Sequence, residues 1–298
     1  MQDHTNSGGN RPSSIEPPGV DRAGLEFVVG FVGNCQIELL QKVFHRTAQN
    51  RKIGSFYHFF DISAPMLERA RQELETCDIL FLQDIQDVEQ YPLHESIPQH
   101  VPIIRIPFLR FAAPWPYDDF NGLRDHAARA LDDPALHTTT YYDGMLSRLR
   151  RQVPDPRQRL NIYRNLDVAD AIDPARVLDF ETRRLEAVDE RFGLSVGRLT
   201  LSQFRSRQLF YTVNRPCGAL LKLLMDYIAN SIDLDLNGMP VSQIELELDE
   251  LRSIQVPIHP MVARRLEISW ATESSLYEVN GQRLTWEDHV RQYIKRYG

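Results

Sequence analysis

Apolar residues in the first third of the chain come in short unbroken runs separated by stretches of helical spacing. Leu25-Glu26-Phe27-Val28-Val29-Gly30-Phe31-Val32 is such a run, and Ile37 to His45 follows it with apolar positions three and four apart. The pair predicts a strand, a tight turn and a helix. Phe56 to Ile62 predicts a second strand. Ser63-Ala64-Pro65 then opens a helix with Met66, Leu67, Ala70 and Leu74 on its apolar face. Ile79-Leu80-Phe81-Leu82 is continuous enough for a strand buried on both faces. Val101 to Ile106 predicts a fourth strand, nearer an edge because Pro102 cannot donate to a ladder. Strands alternating with helices predict an α/β fold with a doubly wound, mostly parallel sheet.

Past Pro107 the pattern changes. Phe108 to Phe120 interleaves aromatics with prolines, which predicts an irregular loop packed on the core. His126 to Phe192 has mainly helical spacing, with Asp173-Pro174 as a start and Gly193 as a stop. Leu209 to Val213 is a short apolar stretch, and a helix after Cys217 buries Leu220, Leu221, Leu224, Met225 and Ile228. Thr285-Trp286-Glu287-Asp288 has the form of a capping box and opens a last helix to Tyr297. The C-terminal half is therefore expected to be largely helical. Residues 1–24 are polar and rich in Ser, Gly, Pro and Asn, as in a disordered tail, and lack the pattern of a signal peptide. Residues 25–298 are expected to form one α/β domain with helical additions.

The 42% hydrophobic and 25% charged residues are those of a soluble globular protein, and no apolar run is long enough to span a bilayer. A net charge of -7 argues against a general nucleic-acid binder, which must neutralise phosphates. The cysteines Cys35, Cys77 and Cys217 are odd in number, far apart and without metal-ligand spacing. They read as reduced thiols of a cytoplasmic protein, with no metal site expected. Zinc motifs, a Walker loop, G-x-S-x-G and G-x-G-x-x-G are absent from the sequence.

The candidate chemistry lies at strand ends. Gly33-Asn34-Cys35-Gln36 falls where the first strand turns into the first helix. In a parallel sheet that is where ligands bind. Helix-start amides there favour an anion and should lower the Cys35 thiol pKa. Amides at Asn34 and Gln36 are placed to donate to an oxyanion. Gln83 ends the third strand and should face the same crevice. Asn214 and Arg215 precede the long helix, a place suited to phosphate. His259, held between Pro257 and Pro260, is the candidate base.

Gly-Asn-Cys-Gln after the first strand, Asp-Ile-Leu-Phe-Leu-Gln in the third, and Leu-Phe-Tyr-Thr-Val-Asn-Arg-Pro before the long helix occur in that order. Together they resemble the WcbI-like polysaccharide biosynthesis family, over about Leu25 to Tyr297. The resemblance implies an SGNH-hydrolase-like sheet, coenzyme A or acetyl-coenzyme A as acyl donor, and acetyl transfer to a glycan in bacterial capsule formation. With it, Cys35 is expected in a catalytic role, Gly33, Asn34, Gln36 and Gln83 at the oxyanion and substrate, and Asn214 and Arg215 at the cofactor. His259 is the residue of this chain that could take the role of base. One departure stands out: the family pattern at the last motif is Asn-His-Pro, and this chain has Asn214-Arg215-Pro216. Arginine is no base at neutral pH. Two alternatives therefore stay open, a glycan esterase with Cys35 as nucleophile and a coenzyme A-binding module without catalysis.

Overall fold

Four parallel strands, β1 (Val28–Gly33), β2 (Lys52–His58), β3 (Ile79–Asp84) and β4 (Ile103–Pro107), form one sheet in the order β2-β1-β3-β4. The computed structural model describes residues 27–59, 63–85, 88–119, 142–236, 238–279 and 281–297. The expected tail (1–24), the end of the expected second strand (60–62) and the first part of the expected helical region (126–141) lie outside these residues. β1 and β3, the most apolar runs, occupy the centre. The proline-flanked β4 is an edge strand, as its sequence predicts. β2 begins at Lys52, four residues before the aromatic run, because its ladder to β1 already starts at the pair Val28 and Lys52.

The sheet is covered on both faces. Side chains alternate along a strand, so Val29 and Phe31 of β1 point one way and Val32 the other. Helix α1 (Cys35–Thr47) packs on the first face, where Phe31 stacks between Phe44 at 6.0 Å and Phe81 at 5.5 Å. Helix α2 (Ala64–Leu74) covers the second face with Ala70 and Leu74 against Val32, Leu80 and Leu82. This is the doubly wound α/β arrangement. Its strand order changes direction between β1 and β3, and in open α/β sheets ligands bind outside the carboxyl ends of strands at such a point.

The remaining chain is mostly helical: α3 (Gly144–Gln152), α4 (Pro156–Arg164), α5 (Val168–Ile172), α6 (Pro174–Phe192), α7 (Val196–Gln203), α8 (Gly218–Ser231), α9 (Val241–Glu247), α10 (Pro260–Arg265) and α11 (Trp286–Tyr297). Asp173 caps α6 by accepting from the Ala175 amide at 3.0 Å, and Gly193, at φ 64°, ends it in the left-handed region. The capping box at Thr285 forms, with the Asp288 amide donating to Thr285 Oγ1 at 3.2 Å. The core stripe of α8 is buried as its spacing predicts. Two short hairpins, β5 (Phe210–Thr212) with β6 (Arg215–Pro216) and β7 (Tyr277–Val279) with β8 (Gln282–Leu284), complete the described elements. The Pro-rich loop after β4 is packed on the core, with Leu109, Phe111, Trp115 and Tyr117 buried.

Candidate functional site

The carboxyl edge of the sheet is organised by two buried glutamines. β1 ends at Gly33, where a Cβ would stand 2.4 Å from Ile37 Cγ1, so only glycine lets α1 start this close to the strand. Asn34 is the N-cap of α1 and its Oδ1 accepts from the Gln36 amide at 2.9 Å. The Asn34 amide donates to Gln83 Oε1 at 2.9 Å, which joins the ends of β1 and β3 across the crevice. Gln83 Nε2 donates to Gln36 Oε1 at 3.2 Å. Gln36 Nε2 donates to Leu109 O at 2.7 Å and to Asn214 O at 2.8 Å, and its Oε1 also accepts from the Leu109 amide at 3.2 Å. Gly33, Asn34, Gln36, Gln83 and Asn214 are thus brought together.

These bonds bear on the expected roles. Both N–H groups of the Gln36 side chain are used inside the fold, so that side chain builds the site and has no donor left for an oxyanion. The amides nearest the sulfur are those of the backbone: the N–H groups of Cys35 and Gln36 both favour its thiolate.

Cys35 is the first residue of α1 and is partly exposed. Arg215 lies near enough for its charge to favour the thiolate. Burial outweighs Arg215 and the backbone amides, Glu38 opposes them too, and the thiol pKa is raised above its ordinary value. The lowered pKa expected of a helix start is therefore reversed. Sequence spacing marks the helix start but not how closely the C-terminal half packs over it.

Arg215 and Asn214 also sit differently from the sequence expectation. They belong to the β5–β6 hairpin, where Thr212 Oγ1 donates to Asn214 Oδ1 at 3.0 Å. Helix α8 starts beyond them, and its first amide, on Gly218, donates to Asp249 Oδ1 at 3.0 Å. That helix start is occupied by the chain's own carboxylate rather than open to a phosphate. Arg215 instead reaches toward Leu251 O, at 3.5 Å, and is half-buried beside the Cys35 turn. Asp249, which also accepts from Tyr211 OH at 2.6 Å, was not singled out by its sequence context. An Asp thirty-one residues downstream of the helix it caps carries no local signature.

His259 belongs to another cluster. Its Nδ1 accepts from the Met261 amide at 3.1 Å, capping α10, and its Nε2 therefore carries the proton and donates to Tyr163 O at 2.8 Å. The ring lies edge-on to Tyr117, Tyr163 and Trp286. Burial lowers its pKa to about 4. Both nitrogens are engaged, so in this arrangement the ring has no free lone pair. Pro257 and Pro260 restrain it, as the sequence suggests, but for structural capping. Among the described residues no group of three or more His, Cys, Asp or Glu is placed to hold a metal ion. No described helix is long and apolar enough to cross a membrane.

The sequence profile described as polysaccharide biosynthesis enzyme WcbI matches residues 28–237, well over half of the chain and all of the sheet, the Cys35 turn and the Arg215 hairpin. The chain belongs to the WcbI polysaccharide biosynthesis family. A solved WcbI structure superposes with a TM-score of 0.62 at 17% identity, covering 91% of each chain. That structure is described as the native protein, without a disulfide bond between coenzyme A and one of its cysteines. At this identity the likeness is one of fold. No curated protein matches the chain.

Proposed function

We propose that this WcbI-family protein binds coenzyme A or acetyl-coenzyme A at the carboxyl edge of its sheet and transfers the acyl group to a hydroxyl of a polysaccharide or sugar precursor, in capsule or exopolysaccharide formation. The observation that carries the reading is the position of Cys35: a partly exposed thiol at the strand-order switch, with backbone amides and the Arg215 charge around it. A thioester carbonyl beside that sulfur has the Cys35 N–H for its developing oxyanion, the Asn34 and Gln36 amides being held by Gln83 and Asn34. Arg215 supplies a permanent cation for a phosphate. The mention of coenzyme A and a cysteine in the description of the solved relative supports the same assignment.

In direct transfer the sugar oxygen attacks the thioester carbonyl carbon, the carbon–sulfur bond breaks, and the hydroxyl proton ends on the departing coenzyme A thiol. In the covalent route the Cys35 sulfur attacks the carbonyl carbon, the bond to coenzyme A breaks, and the coenzyme A sulfur leaves with the Cys35 proton. The sugar oxygen then attacks the acyl-cysteine, its proton returning to the Cys35 sulfur. The raised thiol pKa supports direct transfer, with Cys35 lining the site. A second reading, binding without catalysis, is favoured by the engagement of both His259 nitrogens.

Calorimetric titration with coenzyme A tests the binding. Arg215→Ala should weaken it by about tenfold to a hundredfold, the worth of a charge-assisted hydrogen bond. Absence of binding to the unaltered protein overturns the reading. Release of coenzyme A thiol from acetyl-coenzyme A only when glycan is present separates transferase from binding module. An acetyl group on Cys35 in the intact mass would mark the covalent route.

A further inference from the structure

The helical hairpin α3–α4 carries a concentration of positive charge that the catalytic proposal leaves unused. Residues 144–164 contain Arg148, Arg150, Arg151, Arg157, Arg159 and Arg164 against a single acid, Asp155, in a chain of net charge -7. Asp155 is engaged as the N-cap of α4, accepting from the Arg157 amide at 2.9 Å. Arg159 is buried, and Arg164 pairs with Glu287. The other four, Arg148, Arg150, Arg151 and Arg157, are exposed and make no ion pair among the described residues. Some exposed arginines elsewhere pair, Arg46 with Glu247, Arg191 with Asp84 and Arg265 with Asp173, while Arg183, Arg198 and Arg283 stand singly. What marks the hairpin is four exposed arginines within ten positions.

We infer that this face of α3–α4 is a binding surface for an acidic glycan, one bearing carboxylates or other anionic groups along its chain. Arg148 and Arg151 are one turn apart on α3, where like charges repel. An anionic partner removes that repulsion. Guanidinium forks match carboxylate geometry two bonds at a time, and the exposed amides of Gln152 and Gln158 each offer donors and an acceptor to sugar hydroxyls. A membrane surface fits less well. The apolar residues Leu146, Leu149, Leu160 and Tyr163 of this hairpin are spent on the core, and the single exposed Ile162 is too little apolar surface to insert. The hairpin is tied to the segment leaving the carboxyl end of β4, through Gly144 N donating to Tyr117 O at 2.9 Å and Asp119 N donating to Tyr142 O at 3.0 Å. Leu109, on the same segment, is held by Gln36 at the crevice. An acidic glycan on the hairpin would thus be connected to the Cys35 edge. The inference rests on the glycan-acceptor part of the proposed function and names the class of that acceptor.

The test compares the full chain with a variant carrying Arg148→Gln, Arg150→Gln, Arg151→Gln and Arg157→Gln. The positions are exposed and glutamine suits a helix, so the fold is retained, as circular dichroism will check. The probes are an oligogalacturonate, a neutral maltooligosaccharide and phosphatidylglycerol vesicles, each titrated at low and high salt. The expected result is binding of the oligogalacturonate alone, weakened by salt, and reduced at least about tenfold in the variant. Equal binding of the neutral oligosaccharide, unchanged affinity in the variant, no binding at all, or binding only to vesicles overturns the inference. Coenzyme A titration is run on the same samples. Loss of coenzyme A binding with oligogalacturonate binding intact defeats the donor assignment alone, and the converse defeats this one alone.

Discussion

Replacing Gln36 by leucine removes the one side chain that ties three distant segments together, and the cost can be worked from its bonds. Gln36 Nε2 donates to Leu109 O and Asn214 O, while Oε1 accepts from the Leu109 amide and from Gln83 Nε2. The side chain is fully buried, so no water replaces it. Leucine is similar in volume, which keeps the cavity term small and isolates the polar one. Four groups lose a partner. Asn214 O can relax toward solvent, but Gln83 Nε2 and the Leu109 amide and carbonyl are buried. Three stranded groups at about 1–3 kcal/mol each, partly offset by the gain of an apolar side chain, give a destabilisation of about 3 kcal/mol or more. At this chain length that corresponds to a fall in Tm of roughly 5 °C. Scanning calorimetry or the urea midpoint measures it. Coenzyme A affinity should fall as well, because the Asn214–Arg215 hairpin loses its anchor to α1. A variant within about 0.5 kcal/mol of the unaltered protein, in the range of an ordinary surface change, would refute the role given to this network.

Gly33→Ala should destabilise by about 1–3 kcal/mol, since its Cβ must displace Ile37; a neutral result in urea denaturation would remove the steric argument. Arg215→Gln should raise the Cys35 thiol pKa further and slow its alkylation by iodoacetamide near neutral pH; an unchanged rate by peptide mass spectrometry would place Arg215 out of range of the sulfur. His259, held near pKa 4 in the fold against an ordinary 6.5, binds more protons when unfolded, so its contribution is complete above about pH 6.5 and is lost as pH falls toward 4. That loss amounts to about 3 kcal/mol, and His259→Gln should flatten this part of a stability–pH curve measured by urea melts.

Where function depends on local pattern, the sequence is readable. The strand–turn–helix at Gly33-Asn34-Cys35-Gln36 follows from an apolar run, a residue that tolerates close approach and an Asn able to cap, all within ten positions. The edge position of β4 follows from its prolines, and the shared edge of Gly33 and Gln83 from parallel pairing. What sequence does not reveal is decided by contacts between distant segments. The Arg215 charge beside the Cys35 thiol, the start of α8 capped by Asp249 and the engagement of His259 by Tyr163 are such contacts. Each involves partners between about thirty and two hundred residues apart, a separation at which periodicity and motif spacing carry no information.

The same separation explains why this candidate site needs the helical half of the chain. The sheet alone supplies the crevice, the Cys35 turn and Gln83, but no cation beside the sulfur. Arg215 arrives on a hairpin whose neighbours are fixed by Phe111 N donating to Val213 O at 2.8 Å, Val256 N donating to Tyr211 O at 2.8 Å and Gln36 holding Asn214 O. A histidine at that position would bring a titrating group to the thiol; arginine brings a charge that no change of pH in the physiological range removes. Arginine at this position therefore supplies permanent electrostatic attraction at a fixed place and no proton transfer. In an Arg215→His variant the Cys35 alkylation rate should acquire a pH dependence near the ordinary histidine pKa that the arginine protein lacks. Identical profiles for the two proteins would show that the hairpin does not present this side chain to the sulfur.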